Sequence, residues 1–221
     1  MISHDKKYKA VIFDLDGTLI DSLHDIADSM NRVLSAHGYP IHEYIAYKNF
    51  VGKGLKNLAE NVLPEKERQA ETIQSVFKDL MTEYGNNVVR KTVLYNGIPE
   101  LLDELSKRRI KLAVLSNKAH ELTTSISEKI LHKWNFDIIL GPKSDIPRKP
   151  DPKGANICIK ELGFKHENIL YVGDSGIDMQ TAINANLTSV GVTWGFRTRN
   201  ELLENGAIHI IDQPSELLDL L

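Results

Sequence analysis

Four short segments hold the residue types from which a reaction could be built: Phe13-Asp14-Leu15-Asp16-Gly17-Thr18, Ser116-Asn117, Lys149-Pro150 and Gly173-Asp174-Ser175-Gly176-Ile177-Asp178. Carboxylates can attack, move a proton or ligate a hard cation, while a hydroxyl, backbone N–H groups and an ammonium can hold an anion. Each segment also has a plainer reading when taken singly. Asp-Gly-Thr is a common strand-ending turn. Ser-Asn caps helices, a lone lysine is usually solvated, and Asp174 and Asp178 suit the first turn of a helix. The eight histidines show no paired ligand spacing. Position changes the balance, because each of the four segments follows its own strand-like run.

Those runs are short, apolar and rich in β-branched residues: Ala10 to Phe13, Leu112 to Leu115, Phe136 to Leu140, Ile169 to Val172, Ser189 to Val192 and Ile208 to Ile211. Bounded by Gly, Asp, Asn or Pro, they read as parallel strands buried on both faces. Helical stretches alternate with them, at about 119–131, 153–162, 176–185, 198–204 and 214–220, with a further helix opening near Pro99. The pattern predicts an α/β fold with a doubly wound, Rossmann-like parallel sheet. Ligands of such sheets bind beyond the carboxyl ends of the strands, where Asp14 and Asp16 would be delivered. Between about 22 and 90 the alternation fails and helix follows helix. Leu23, Ile26, Ala27, Met30, Val33, Leu34 and His37 mark one helix, with Asp21 or Ser22 as its N-cap. Leu55, Leu58, Ala59 and Val62 mark a second, and Ala70, Ile73, Phe77, Leu80 and Tyr84 a third. The expected organisation is therefore an α/β core from 1–21 and 91–221, with an all-helical insertion at 22–90.

Composition sets the outer limits. The 221 residues are 42% hydrophobic and 26% charged, an ordinary globular balance that can bury a core. The net charge of 27 − 30 = −3, with no long block of one sign, offers no footprint for nucleic acid or an acidic membrane surface. The lone Cys158, flanked by Ile157 and Ile159, reads as a buried packing thiol and fits a reducing compartment. The longest apolar runs fall far below the roughly 20 residues of a bilayer span. The polar start from Met1 to Lys9 has no secretory h-region, so a cytoplasmic protein is expected.

Taken in order, the four segments resemble the haloacid dehalogenase superfamily of phosphotransferases, in the subgroup with a helical cap after the first motif. The resemblance covers nearly the whole chain. Within the superfamily the sequence looks most like the phosphoglycolate phosphatase group, on weaker markers: Val51-Gly52-Lys53-Gly54, Tyr95-x-Gly97-x-Pro99-Glu100-Leu101-Leu102, and Gly191-Val192-Thr193-Trp194-Gly195-Phe196. The resemblance implies a Mg²⁺ cofactor held by the Asp14 and Asp174 carboxylates and the Asp16 carbonyl, with Asp178 bracing the site. It makes Asp14 the nucleophile that forms an aspartyl phosphate and Asp16 the general acid and base. The Ser116 hydroxyl, the Leu15 and Asn117 N–H groups and the Lys149 ammonium would bind the phosphoryl oxygens.

The expected partner is a small phosphorylated metabolite, 2-phosphoglycolate first, with no nucleic acid or membrane, and with monomer and homodimer both open. Lys53 and Arg197 are candidates for reading a substrate carboxylate, each with a surface-residue reading of equal weight. Sugar-phosphate mutases, pyrophosphatases and nucleotidases share the scaffold. A phosphoacceptor signalling module fits poorly, since it would place its phosphorylated aspartate on a middle strand and would have no such insertion.

Overall fold

The computed structural model describes residues 8–221. The first seven residues of the expected core segment 1–21 lie outside that range. In chain order the elements are β1 (Ala10–Phe13), β2 (Ile20–Asp21), α1 (Leu23–Ala36), α2 (Tyr44–Phe50), α3 (Leu55–Val62), α4 (Ala70–Asn86), β3 (Val93–Leu94), α5 (Ile98–Lys107), β4 (Lys111–Leu115), α6 (His120–Ile130), β5 (Ile138–Leu140), α7 (Lys153–Leu162), β6 (Ile169–Gly173), α8 (Gly176–Asn184), β7 (Thr188–Val192), α9 (Arg199–Glu204) and β8 (His209–Ile211).

Six strands form one parallel sheet in the order β5-β4-β1-β6-β7-β8. Val11 of β1 pairs with Leu112 of β4 on one side and Leu170 of β6 on the other. Because strand side chains alternate, one face carries Val11, Phe13, Val114 and Val172 against α5 and α6. The other carries Ala10, Ile12, Ala113 and Tyr171 against α7 and α8. Helices therefore cover both faces, as the continuous apolar runs predict. Cys158 is fully buried in the second layer, where burial pushes its thiol up to about 12. The chain leaves β1 toward β4 and β5, then returns to β6 on the opposite side. That reversal opens a crevice at the carboxyl ends of β1 and β6.

Helices α1 to α4 follow β1. The buried side of α1 is Leu23, Ile26, Ala27, Met30, Val33 and Leu34, and that of α3 is Leu55, Leu58, Ala59 and Val62, as their periodicity predicts. Their apolar residues merge with the sheet's first core layer into one cluster.

Three features differ from the sequence reading. The two-residue ribbon of β2 and β3, with Ile20 opposite Leu94, was not expected in a stretch read as free of strands. Helix α2 was not expected either: among its residues only Tyr47 is buried, and Tyr44 and Ile45 face out, so no core-directed rhythm marks it. The segment Pro214–Asp219, expected as an α-helix, is 3₁₀. Among the described residues no helix is long and apolar enough to cross a membrane.

Candidate active site

The carboxyl ends of β1, β4 and β6 bring the chemical residues together. The Asp14 N–H continues the ladder by donating to the Val172 carbonyl at 2.9 Å, which fixes where its side chain leaves the sheet. Three residues on, Gly17 turns the chain with φ +87° and donates to Ile20 O at 2.9 Å. A side chain there would also collide, since a Cβ on Gly17 would lie 2.4 Å from Asp174 Oδ2. Gly195, after β7, also closes on Asp174, its Cβ position only 2.4 Å from the Asp174 Cβ. Only hydrogen fits at both places, so Asp174 is held between two backbones.

Asp14, Asp174 and Asp178 are all buried, and one carboxylate oxygen of each lies within 4.8 Å of the others. Lys149 reaches into this cluster, with Nζ 2.8 Å from Asp14 Oδ1 and 2.7 Å from Asp178 Oδ1. Burial and the Asp178 charge push the Asp14 carboxyl well above its usual range, against the pull of Lys149. Burial and Asp178 likewise push Asp174 up to about 7. Burial works against the Lys149 ammonium, yet Asp14 and Asp178 hold its pKa well above the ordinary lysine value.

Three carboxylates facing one ammonium leave two excess negative charges when all are ionised, which a divalent cation would offset. The donor set fits such an ion. It is all oxygen, as Mg²⁺ requires, and Asp14 and Asp174 each keep an oxygen free of the hydrogen bonds to Lys149 Nζ and the Phe196 N–H. Asp178 is committed elsewhere. Its Oδ2 accepts from the Ser175 hydroxyl at 2.6 Å and N–H at 3.1 Å in a capping box that opens α8. One side chain thus both opens α8, as the helix-start reading has it, and accepts from the Lys149 ammonium.

Ser116 and Asn117 follow β4 and are buried. The Asn117 side chain grips the backbone of Lys149, accepting from its N–H at 2.7 Å and donating to its carbonyl at 3.2 Å. The same amide donates to Gly52 O at 3.1 Å, tying the core to the loop between α2 and α3. Leu15 is fully buried between Asp14 and Asp16. The Asp16 carboxylate receives Ser22 Oγ and, at 2.6 Å, the Lys118 ammonium, both on Oδ1. Ser22 stands at the N-cap of α1 but directs its hydroxyl to Asp16 rather than to the helix, while Asp21 accepts from the Leu23 N–H at 3.2 Å.

A small cavity of about 50 Å³ lies over these groups, lined from the core by Asp14, Asp16 and Ser116 and from the helical layer by Val51, Leu55 and Leu58. Arg197 also borders it, but its guanidinium donates to the carbonyls of Lys48 and, at 2.7 Å, Val51. It holds the α2–α3 loop against the core. Lys53 is exposed and lines a neighbouring cavity with Pro150 and Gln180, so the structure does not bring it to Asp14. Sequence reasoning missed Lys118 and Tyr84. Lys118 is buried, and its Nζ donates to Tyr84 Oη at 2.7 Å as well as to Asp16. Its one available signal was adjacency to Ser116-Asn117 at a strand end; Tyr84 looked like one more core residue of α4.

This fold and this cluster define a hydrolase class. The profile of the haloacid dehalogenase-like hydrolases matches residues 11–192, and the chain belongs to that family. More particularly, it is 32% identical over 213 residues to a phosphoglycolate phosphatase of Aquifex aeolicus, covering 96% of both chains. It is 34% identical over 190 residues to one of Rhodobacter capsulatus, covering 85% of each. The crystal structure of a candidate phosphoglycolate phosphatase from Lactobacillus delbrueckii subsp. bulgaricus superposes with a TM-score of 0.90 at 32% identity, over 96% of this chain and 97% of that one. The chain is a phosphoric monoester hydrolase of phosphoglycolate phosphatase-like kind.

Proposed function

We propose that the enzyme is a Mg²⁺-dependent phosphatase that hydrolyses a small phosphomonoester, 2-phosphoglycolate above others, through an aspartyl phosphate on Asp14. The observation that carries this reading is the buried cluster of Asp14, Asp174 and Asp178, opposed among the described residues by the Lys149 ammonium as its one ion-pair partner. Asp14 and Asp174, with the Asp16 carbonyl, would hold Mg²⁺. When bound, the ion supplies charge neutralisation that lets an anionic ester approach an anionic nucleophile.

Asp14 attacks phosphorus, and the bond to the ester oxygen breaks as Asp16 protonates the departing alcohol. Asp16 then takes a proton from water, which attacks phosphorus and releases inorganic phosphate and the free Asp14 carboxylate. Proton transfer of this kind is typically worth about 10²- to 10⁴-fold. The Ser116 hydroxyl, the backbone N–H groups of Leu15 and Asn117 and the Lys149 ammonium bind the phosphoryl oxygens and steady their charge. The names of the relatives and the small cavity support a compact substrate. With Mg²⁺ and a panel of small phosphorylated metabolites, 2-phosphoglycolate should give the highest kcat/KM. A larger sugar or nucleoside phosphate at the head of the ranking would overturn the assignment.

A further inference from the structure

We propose that Lys118 reads the anionic end of the leaving group, selecting phosphomonoesters with a carboxylate two or three bonds from the ester oxygen. This rests on the reading of Asp16 as acid and base and names the residue that would recognise the substrate. The cations near the cavity differ in how they are engaged. Lys149 is held by Asp14 and Asp178. Arg197 is bound to the carbonyls of Lys48 and Val51, and Lys53 faces another cavity.

Lys118 borders the cavity itself, with its side chain only 3% exposed. An ammonium has three N–H donors. Two go to Asp16 Oδ1 at 2.6 Å and Tyr84 Oη at 2.7 Å, and among the described residues the third has no protein acceptor.

Distance then selects the ligand. To protonate the leaving alcohol, one oxygen of Asp16 must lie within a hydrogen bond of the ester oxygen, and Lys118 is bonded to Oδ1 of the same carboxylate, so the ammonium lies within about two hydrogen-bond lengths plus the width of that carboxylate. A carboxylate borne by the ester carbon itself falls within that reach. The helical side of the lining offers it no partner, because Ile26, Val51, Leu55 and Leu58 present apolar side chains. A carboxylate enclosed there without Lys118 would be a buried anion with no partner, which is costly.

The test compares kcat/KM for 2-phosphoglycolate and for 2-phosphoglycolamide, the near-isostere in which a neutral amide replaces the carboxylate, in wild type and Lys118→Met. Wild type should prefer the acid; if it does not, the phosphoglycolate reading fails, and the role of Lys118 with it. Lys118→Met should slow both substrates, since Asp16 loses an anchor, but the acid should fall by a further roughly 30-fold or more, the low end for removing one member of a buried charge pair. Equal falls in a variant of a discriminating enzyme would leave Lys118 as a positioning residue and overturn the proposal alone. Lys118→Gln is read the same way if the methionine variant does not fold. Tyr84→Phe, which removes the hydroxyl and keeps the ammonium, should retain the preference; its loss there would assign recognition to the hydroxyl and contradict the proposal.

Discussion

Asp14 and Asp16 are two residues apart, yet their surroundings equip them for different work. Asp14 is held by Lys149 inside the acidic cluster, whereas both hydrogen bonds to Asp16 fall on Oδ1, from Ser22 and Lys118. That arrangement steadies the carboxylate and leaves Oδ2 free of both bonds, as the proposed acid and base role requires. An alkoxide needs a proton far more than a nitrophenolate does. Asp16→Asn should therefore slow single-turnover phosphorylation by alkyl phosphates more than by nitrophenyl phosphate, by up to about 10²- to 10⁴-fold for the alkyl ester. Hydrolysis of the phosphoenzyme should slow for both. Equal losses in the first step would remove the acid from the mechanism.

The elements that join the helical layer to the sheet depend on a residue that periodicity does not mark. Asp25, in the first turn of α1, is 3% exposed and accepts from the N–H groups of Arg90, Lys91 and Thr92 at 2.8–3.0 Å and from the Thr92 hydroxyl at 2.6 Å. Together with the β2–β3 ribbon it locks the entry and exit of the helical layer together. Burial alone would raise the Asp25 pKa, but these donors outweigh it and hold the carboxyl below the usual carboxylate range. A folded-state pKa below the unfolded one contributes stability above the unfolded value, and that stability is lost as pH falls through the folded one. Asp25→Asn turns an amide N–H₂ toward backbone donors and should destabilise by about 1–3 kcal/mol at neutral pH. In denaturant unfolding the gap between variant and wild type should narrow below about pH 4. A gap that stays constant on acidification would show that the charge of Asp25 is not its source.

Across the whole molecule, the sheet and its crevice were legible because doubly buried strands announce themselves as apolar runs and because four polar segments each follow one. The helices α1 and α3 were legible from their apolar faces. What escaped notice lacked a local signal. The β2–β3 ribbon is two residues per strand, too short to show alternation. Lys118, Tyr84 and Asp16 meet only through folding, since 34 residues separate Lys118 from Tyr84 and 102 separate it from Asp16. Lys53 illustrates the converse: its flanking glycines suggested a loop facing the site, and the loop does touch Asn117 through Gly52 O, but the lysine lines a neighbouring cavity rather than the one that holds Asp14. The arrangement gains its purpose only if Asp14 becomes covalently phosphorylated. The most direct measurement is rapid acid quench of the enzyme mixed with Mg²⁺ and 2-phosphoglycolate, followed by mass analysis of the peptide containing Asp14. A phosphoryl group should appear on Asp14 of the wild-type enzyme and be absent from a folded, inactive Asp14→Asn protein. Undiminished turnover by Asp14→Asn, or a phosphoryl group on another residue, would contradict the account.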